Sequence, residues 1–452
     1  MLVREKTFYT TFFKLSSIMA AQNLLAYGVN LADNIMLGRY SETSLAAAAI
    51  VNQIQYLLQM ICIAGIGAGT VVMVSQYWGK GEVEPIRRII ALAMKFAIGI
   101  GLVFFSISFI LPGGVLSIFT NDISVRAEGM SYLRIMCFTY LLFPVESVLV
   151  TSMRGARIVL IGTIVSIISL LTNITLNYMF IFGNWGAPEM GIRGAAAATL
   201  IARSVQLTVV LVYVRFIDKK LQLRLLSFLK PDFYYLSDFI KVTLPVMLSG
   251  ASWGVGMMLQ IVILGHLTKN IVAANSIAAT VYQVITSFSF GQVSSSNVII
   301  GNAVGAGKMD QIRPYARTLQ LLYVLSGLVT GLVLFVVRNL ILGVYILEPE
   351  TRELAHTFMT LLTIIVVFAS YQYPAASGIV LGGGNTRYPV IVETLFIWLC
   401  VLPLSALSAF VWRFSPVITF LFLKSDQFLK CIPNGIVVNR YRWVRVLTRD
   451  SE

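Results

Sequence analysis

Apolar residues run along this chain in long stretches broken by short polar segments, and most stretches reach the roughly twenty residues that a helix needs to cross the hydrocarbon of a bilayer. The pattern predicts spans near 15–37, 45–76, 89–111, 131–152, 159–182 and 195–217, and a second set near 239–266, 272–303, 318–346, 354–380, 388–411 and 416–438. Lys424, Asp426 and Lys430 interrupt the last of these. The first apolar stretch lacks a short core with a small-residue cleavage site, so it reads as a span and not as a leader. The fold class expected is an all-α integral membrane protein of twelve transmembrane helices.

Loop charge orients the stack. The termini and the even-numbered loops carry Arg4, Lys6, Lys14, Lys80, Arg87, Arg88, Arg154, Arg157, the basic linker over 215–241, Lys308, Arg313, Arg317, Arg387 and the cluster from Arg440 to Arg449, while the odd-numbered loops carry far fewer. By the positive-inside rule both termini face the cytoplasm, which predicts a multi-pass protein of the cell (inner) membrane. Composition agrees: 57% of the residues are hydrophobic and 12% charged, about half the charged share of a soluble domain. The net charge of +14 follows from the basic loops and from attraction to anionic lipid, so no nucleic-acid partner is expected.

Three segments recur at an offset of about 227 residues. GRYSETSLAAAAIVNQI matches GHLTKNIVAANSIAATV, pairing Gly38 with Gly265; VSQYWGKGEVEPIRR matches IGNAVGAGKMDQIRP, pairing Gly79 with Gly305 and Gly81 with Gly307; MRGARIVLIG matches LGGGNTRYPV, pairing Gly155 with Gly382. Six helices is an even number, so both units enter from one side and are parallel repeats forming two pseudo-symmetric six-helix bundles, expected over 1–228 and 229–452. Two lobes with a cleft between them suit alternating access. The GKG and GAG pairs follow no strand and lack a Walker A pattern, so they read as tight turns.

Ionisable groups at membrane depth are costly, and each is a functional hypothesis. Asn30, Asp33 and Asn34 fall at i, i+3 and i+4 near the outer end of the first span; Asn173 and Asn177 are i, i+4 neighbours in the fifth; Thr199 lies at a similar level in the sixth. A carboxylate, two amides and a hydroxyl could hold Na⁺ or share a proton with a desolvated acid. The same amides would equally serve as hydrogen-bonding glue between helices. Arg203 and Glu146 are further deep charges with gating or substrate roles open to them, and the partner of Arg203 is either Glu146 or Asp33. Glu393, about a turn into its span, is expected to reach the interface. The scattered cysteines and the two histidines offer no metal or hydrolase constellation, so neither an enzyme nor a resident cofactor is expected.

NLADNIMLGRYSETSLAAAA, VSQYWGKGEVEPIRR, LNYMFIFGNWGAPEMGIRGAAAATLIARSVQ, GAGKMDQIR, LGGGNTRYP and RYRWVRVLT, in that order, resemble the multidrug and toxic compound extrusion (MATE) family over nearly the whole chain. The resemblance implies a secondary antiporter with two bundles in a V shape, exporting organic cations and other amphipathic compounds against inward H⁺ or Na⁺. It also implies that Asp33 is the coupling carboxylate and that Asn173, Asn177 and Thr199 match an N-lobe cation site. Members with that site carry an aspartate where this chain has Asn177. The seventh and tenth spans contain none of the acids that a second branch uses. The expected partners are a small organic cation and the lipid bilayer, with the protein a monomer. The alternatives are a flippase for lipid-linked saccharides, which would favour a cationic cleft, and a non-transporting receptor or assembly protein, which would not need Asp33.

Overall fold

The computed structural model describes residues 2–120, 122–223, 232–265, 269–343 and 348–449, so the expected boundary at 228/229 lies outside the described residues. Helices follow one another with no strand among those residues. The long segments are α1 (Lys6–Tyr40), α2 (Glu42–Lys80), α3 (Val83–Ile110), α4 (Ile123–Met136 with Thr139–Gly155), α5 (Leu160–Phe182) and α6 (Ile192–Ile217). The second series is α7 (Leu236–Leu264), α8 (Asn270–Gly305), α9 (Met309–Gly343), α10 (Pro349–Val380) and α11 (Arg387–Val411), followed by α12 (Pro416–Leu423, Ser425–Leu429 and Cys431–Arg440).

Among the described residues nine helices are long and apolar enough to cross a bilayer, and α4 makes a tenth if its two arms, bent by 54°, count as one span. The apolar pattern does not predict this bend. It falls at Cys137–Phe138, and Pro144 in the following arm has no N–H for the carbonyl of Tyr140. The apolar character of α1 and α12 is diluted by side chains such as Asn30 and Asp33 in one and Asp426 and Lys430 in the other.

The chain forms two compact units, one of Ala21–Val74 with Glu82–Met247, the other of Met1–Ala20, Ser75–Gly81 and Leu248–Glu452. In the first, α5 packs along α6 and α3 along α4. Gln22 lies against Gly162, Gly28 against Leu170 and Asp33 against Asn177, so α1 and α5 run side by side in the same direction.

In the second unit α9, α8 and α10 pack together, with one apolar cluster built from Phe12, Ile300, Leu319, Tyr323, Ile379 and Trp443. The end of α2 meets the end of α8 at glycines that the repeat equates. A Cβ on Gly79 would lie 2.1 Å from the carbonyl oxygen of Asn302, and one on Gly305 would lie 1.8 Å from that of Gln76. Asn302 Nδ2 donates to the Ser75 carbonyl across the crossing at 2.8 Å. Gly81 and Gly307 follow with φ of 85° and 69°, which makes both GxG segments the expected tight turns. The C-terminal segment then lies over this crossing. Gln76 Nε2 donates to the Arg445 carbonyl at 3.0 Å and Gln76 Oε1 accepts from Leu447 N at 2.7 Å, while Lys80 Nζ reaches the Arg449 carbonyl at 2.7 Å.

Small residues let membrane helices approach closely, and a methyl group forced into such a contact costs about 1–3 kcal/mol. Gly305→Ala is therefore expected to lower the apparent melting temperature of the purified protein. Gly99→Ala, at a helical glycine with nothing within 4 Å of its would-be Cβ, should not lower it. Equal melting curves for the two variants would contradict the tight crossing.

Candidate functional site

The hairpin of α5 and α6 is set by its glycines. Gly183 ends α5 in the left-handed region at φ 70°, and Met190 N returns to the Phe180 carbonyl at 2.8 Å. Gly194 then lets α6 close on α5, since a Cβ there would sit 2.4 Å from the Phe180 oxygen. The run Ala195, Ala196 and Ala198 continues this thin buried face. Close approach brings Asn173 and Asn177 opposite Thr199. On α1, Leu37 is buried one turn beyond Asp33, and the Tyr40 ring packs by Gly191 and Phe182. These contacts turn Asp33 toward the hairpin.

Three of the predicted residues are buried outright: Asp33 is 9% exposed, Asn173 1% and Asn177 0%. Asn177 Nδ2 donates to Asp33 Oδ1 at 2.5 Å and to Asn173 Oδ1 at 3.1 Å, and Asn173 Nδ2 donates to Thr199 Oγ1 at 3.3 Å. The result is one hydrogen-bonded chain from α1 through α5 to α6. Asn177 Oδ1 is buried without a partner. Rotating that amide would present its oxygen beside the carboxylate, so the same residues could donate to an anionic Asp33 or offer oxygens to a cation.

Asn30 and Asn34 are exposed and stand apart from this chain, although the helical spacing put them on the Asp33 face. Arg203 is an electrostatic neighbour of both Asp33 and Glu146, so neither candidate partner is exclusive. Its guanidinium donates to Gln206 Oε1 at 3.0 Å and lies over the Phe143 ring at 4.8 Å. Glu146 is buried between Arg203 and Arg154, and Arg154 in turn donates to Gln22 Oε1 at 3.0 Å. Gln206 and Tyr132 join this neighbourhood without a charge at membrane depth to mark them in the sequence. Gln206 could have been found three residues after Arg203 on α6. Tyr132, 2% exposed and an electrostatic neighbour of Asp33, lies in an arm of α4 whose facing no periodicity signalled.

Glu393 has a partner that its place near a helix end did not predict. It is half-buried and pairs with Lys430 at 2.9 Å, and Lys430 also binds Asp426 at 3.0 Å. Of the charges that interrupt α12, Asp426 and Lys430 pair with each other, and Lys424 lies over the Tyr282 ring at 4.9 Å.

The MatE family model matches residues 19–179 and 245–407. The chain is 24% identical over 393 residues to the probable multidrug resistance protein NorM of Thermotoga maritima, covering 87% of this chain and 84% of that protein. It is also 24% identical to the uncharacterized transporter YisQ of Bacillus subtilis, over 91% of this chain and 89% of the other. Among solved structures, a MOP-superfamily transporter from Pyrococcus furiosus, described with a binding pocket of reversed polarity, superposes with a TM-score of 0.85 at 16% identity over 95% of each chain. The eukaryotic MATE transporter AtDTX14 superposes at 0.82 with 19% identity, over 98% of this chain and 97% of its own. At such identities the structural likeness speaks for the twelve-helix, two-bundle fold alone.

The geometry makes Asn177 the pivot. Asn177→Asp would set a second carboxylate against Asp33, and two such groups cannot both stay charged without a shared proton or cation. Na⁺ is expected to raise the apparent melting temperature of this variant more than that of the parent, with choline as the control ion. An identical response would mean that residue 177 does not face Asp33.

Proposed function

The chain belongs to the MatE family, and from that premise we propose that it is a secondary antiporter exporting small organic cations and other amphipathic compounds in exchange for protons at Asp33. The observation that carries this reading is the Asp33 carboxylate, buried among apolar helices and held by neutral amides instead of a lysine or arginine partner at hydrogen-bond distance. A buried carboxylate with only neutral donors keeps its negative charge at a high desolvation cost, and a proton removes that cost. A proton needs only one carboxylate oxygen, whereas a Na⁺ ion needs several oxygens turned toward it, and the amide atom of Asn177 that faces Asp33 is its Nδ2.

Alternating access supplies the cycle. Protonation removes the charge that the Asn177 amide is oriented to meet, so the tie between α1 and the α5–α6 hairpin weakens in one state and tightens in the other. The names of the relatives as multidrug resistance proteins support organic substrates of broad chemistry. The distribution of Lys and Arg supports a cell-membrane protein with both termini in the cytoplasm.

The test is transport. Purified protein in lipid vesicles is given a pH gradient or a Na⁺ gradient separately while ethidium movement is followed by fluorescence. The pH gradient is expected to drive ethidium against its concentration, and Asp33→Asn should abolish that movement while leaving the protein folded. Movement driven by Na⁺ alone would reassign the ion, and failure of both gradients would sink antiport altogether.

A further inference from the structure

Two helices of the second unit each carry an exposed aliphatic row that runs into arginine at the same end. On α9 Arg317 is followed by Leu321 and Val324, 43% and 39% exposed; on α12 Ile432 and Ile436, 68% and 48% exposed, lead to Arg440. Each row keeps a spacing of three or four, so it lies along one face of its helix. The two arginine ends meet. The side-chain amides of Gln320 and Asn439 donate to each other at 3.4 and 3.3 Å, and the Arg313 guanidinium lies over the Tyr441 ring at 5.1 Å. Arg442 follows at once, and its place is fixed by Trp443, which is buried beside Gly383 with its indole N–H donating to the Val438 carbonyl at 2.9 Å.

Arg313, Arg317, Arg440 and Arg442 are exposed, and among the described residues no carboxylate pairs with any of them. The chain holds no acid between Asp426 and Asp450, and the nearest in sequence on α9 is Asp310, three residues before Arg313. The first half treats the equivalent position differently. Arg87, which the repeat pairs with Arg313, donates to the Leu221 carbonyl at 2.6 Å and binds Glu84 at 3.3 Å. Four guanidinium groups from two helices, with no anion of their own, make a place that a phosphate would neutralise.

We propose that this end of the second unit binds an anionic phospholipid, with its phosphate among the four arginines and its acyl chains along the aliphatic rows of α9 and α12. Loop charge assigns this end to the cytoplasm, where the arginines stand at the level of the headgroups. Guanidinium groups meet phosphate oxygens in a bidentate fork, so several of them hold one headgroup more tightly than a diffuse positive surface does. The aliphatic rows select a lipid over a soluble phosphate, since Leu321 and Ile436 each lie one turn from an arginine on the membrane side. A zwitterionic headgroup brings its own cation into the cluster and is disfavoured. The site rests on the chain spanning a membrane and not on proton exchange at Asp33.

Native mass spectrometry of the full chain, titrated in detergent with dioleoyl phosphatidylglycerol or dioleoyl phosphatidylcholine, separates the headgroup from the chains. Phosphatidylglycerol is expected to bind the parent more tightly than phosphatidylcholine does. Arg313→Gln with Arg317→Gln, and separately Arg440→Gln with Arg442→Gln, should each weaken phosphatidylglycerol binding about thirtyfold, as the loss of two arginines beside an anionic headgroup predicts. Phosphatidylcholine binding should not change. Arg39→Gln with Arg352→Gln removes the same charge from exposed positions at the opposite end and should bind as the parent does. An equal loss in that control would make net charge the whole effect, and unchanged binding in either arginine pair would likewise overturn the proposal. Excess inorganic phosphate should leave the lipid bound. Displacement would reveal an ion site to which the aliphatic rows contribute nothing, and would defeat the lipid assignment.

Discussion

A carboxylate inside a membrane protein must find hydrogen-bond donors, a counter-charge or a proton, because desolvating the free anion costs several kcal/mol even after relaxation. That constraint organises the first half of this molecule. Asp33 meets it through Asn177, Asn177 is oriented by Asn173, and Asn173 reaches Thr199. Each link needs helices close enough for side chains of two or three bonds to touch. The glycines at 183, 191 and 194 and the alanines that follow provide that closeness. The polar chain and the small-residue face are one device: without thin helices the amides would not meet, and without the amides the carboxylate would not stay buried.

The second unit uses the same economy of volume for a different end. There the glycines serve backbone contact between α2 and α8, and the polar side chains of Gln76 and Asn302 satisfy carbonyls at the crossing and along the C-terminal segment. Because Gly79 and Gly305 are equivalent in the repeat, each helix contributes the same feature to the contact. Internal duplication thereby produces a self-complementary crossing within a single chain, as a two-fold axis does between identical subunits. The α2 helix runs from one compact unit into the other, so its far end is shaped by partners different from those of its body.

Much of this was legible in the sequence for a simple reason. Burial in lipid is read from composition over about twenty residues, and loop charge fixes direction, so the level of Asp33, Asn173, Asn177 and Thr199 could be compared before any contact was known. Spacing at i, i+4 then put the two asparagines on one face. What escaped was rotation of one helix against another. Asn30 and Asn34 share the face of Asp33 by periodicity yet lie exposed, because a face is broad and the hairpin touches only part of it. The place of Glu393 near a helix end predicts access to the interface and says nothing of an ion pair. Its partner Lys430 lies 37 positions on, in a helix whose facing no pattern announced. The bend in α4 escaped too, since apolar character continues through it unchanged.

The two buried charge centres differ in the one respect that bears on exchange. Lys430 is a cation tethered to its site, covalently present and unable to leave, so Asp426 always has a counter-charge. Asp33 has no tethered cation at hydrogen-bond distance; its donors are neutral, and Arg203 is engaged with Gln206 and the Phe143 ring. A site with neutral donors stabilises the anion only in part, and the remaining cost is a driving force for taking up a mobile positive charge. An arginine or lysine in place of Asn177 would satisfy Asp33 fully and close the site to exchange. The amide leaves the carboxylate short of a fixed counter-charge, and the antiport proposed above draws on that shortfall.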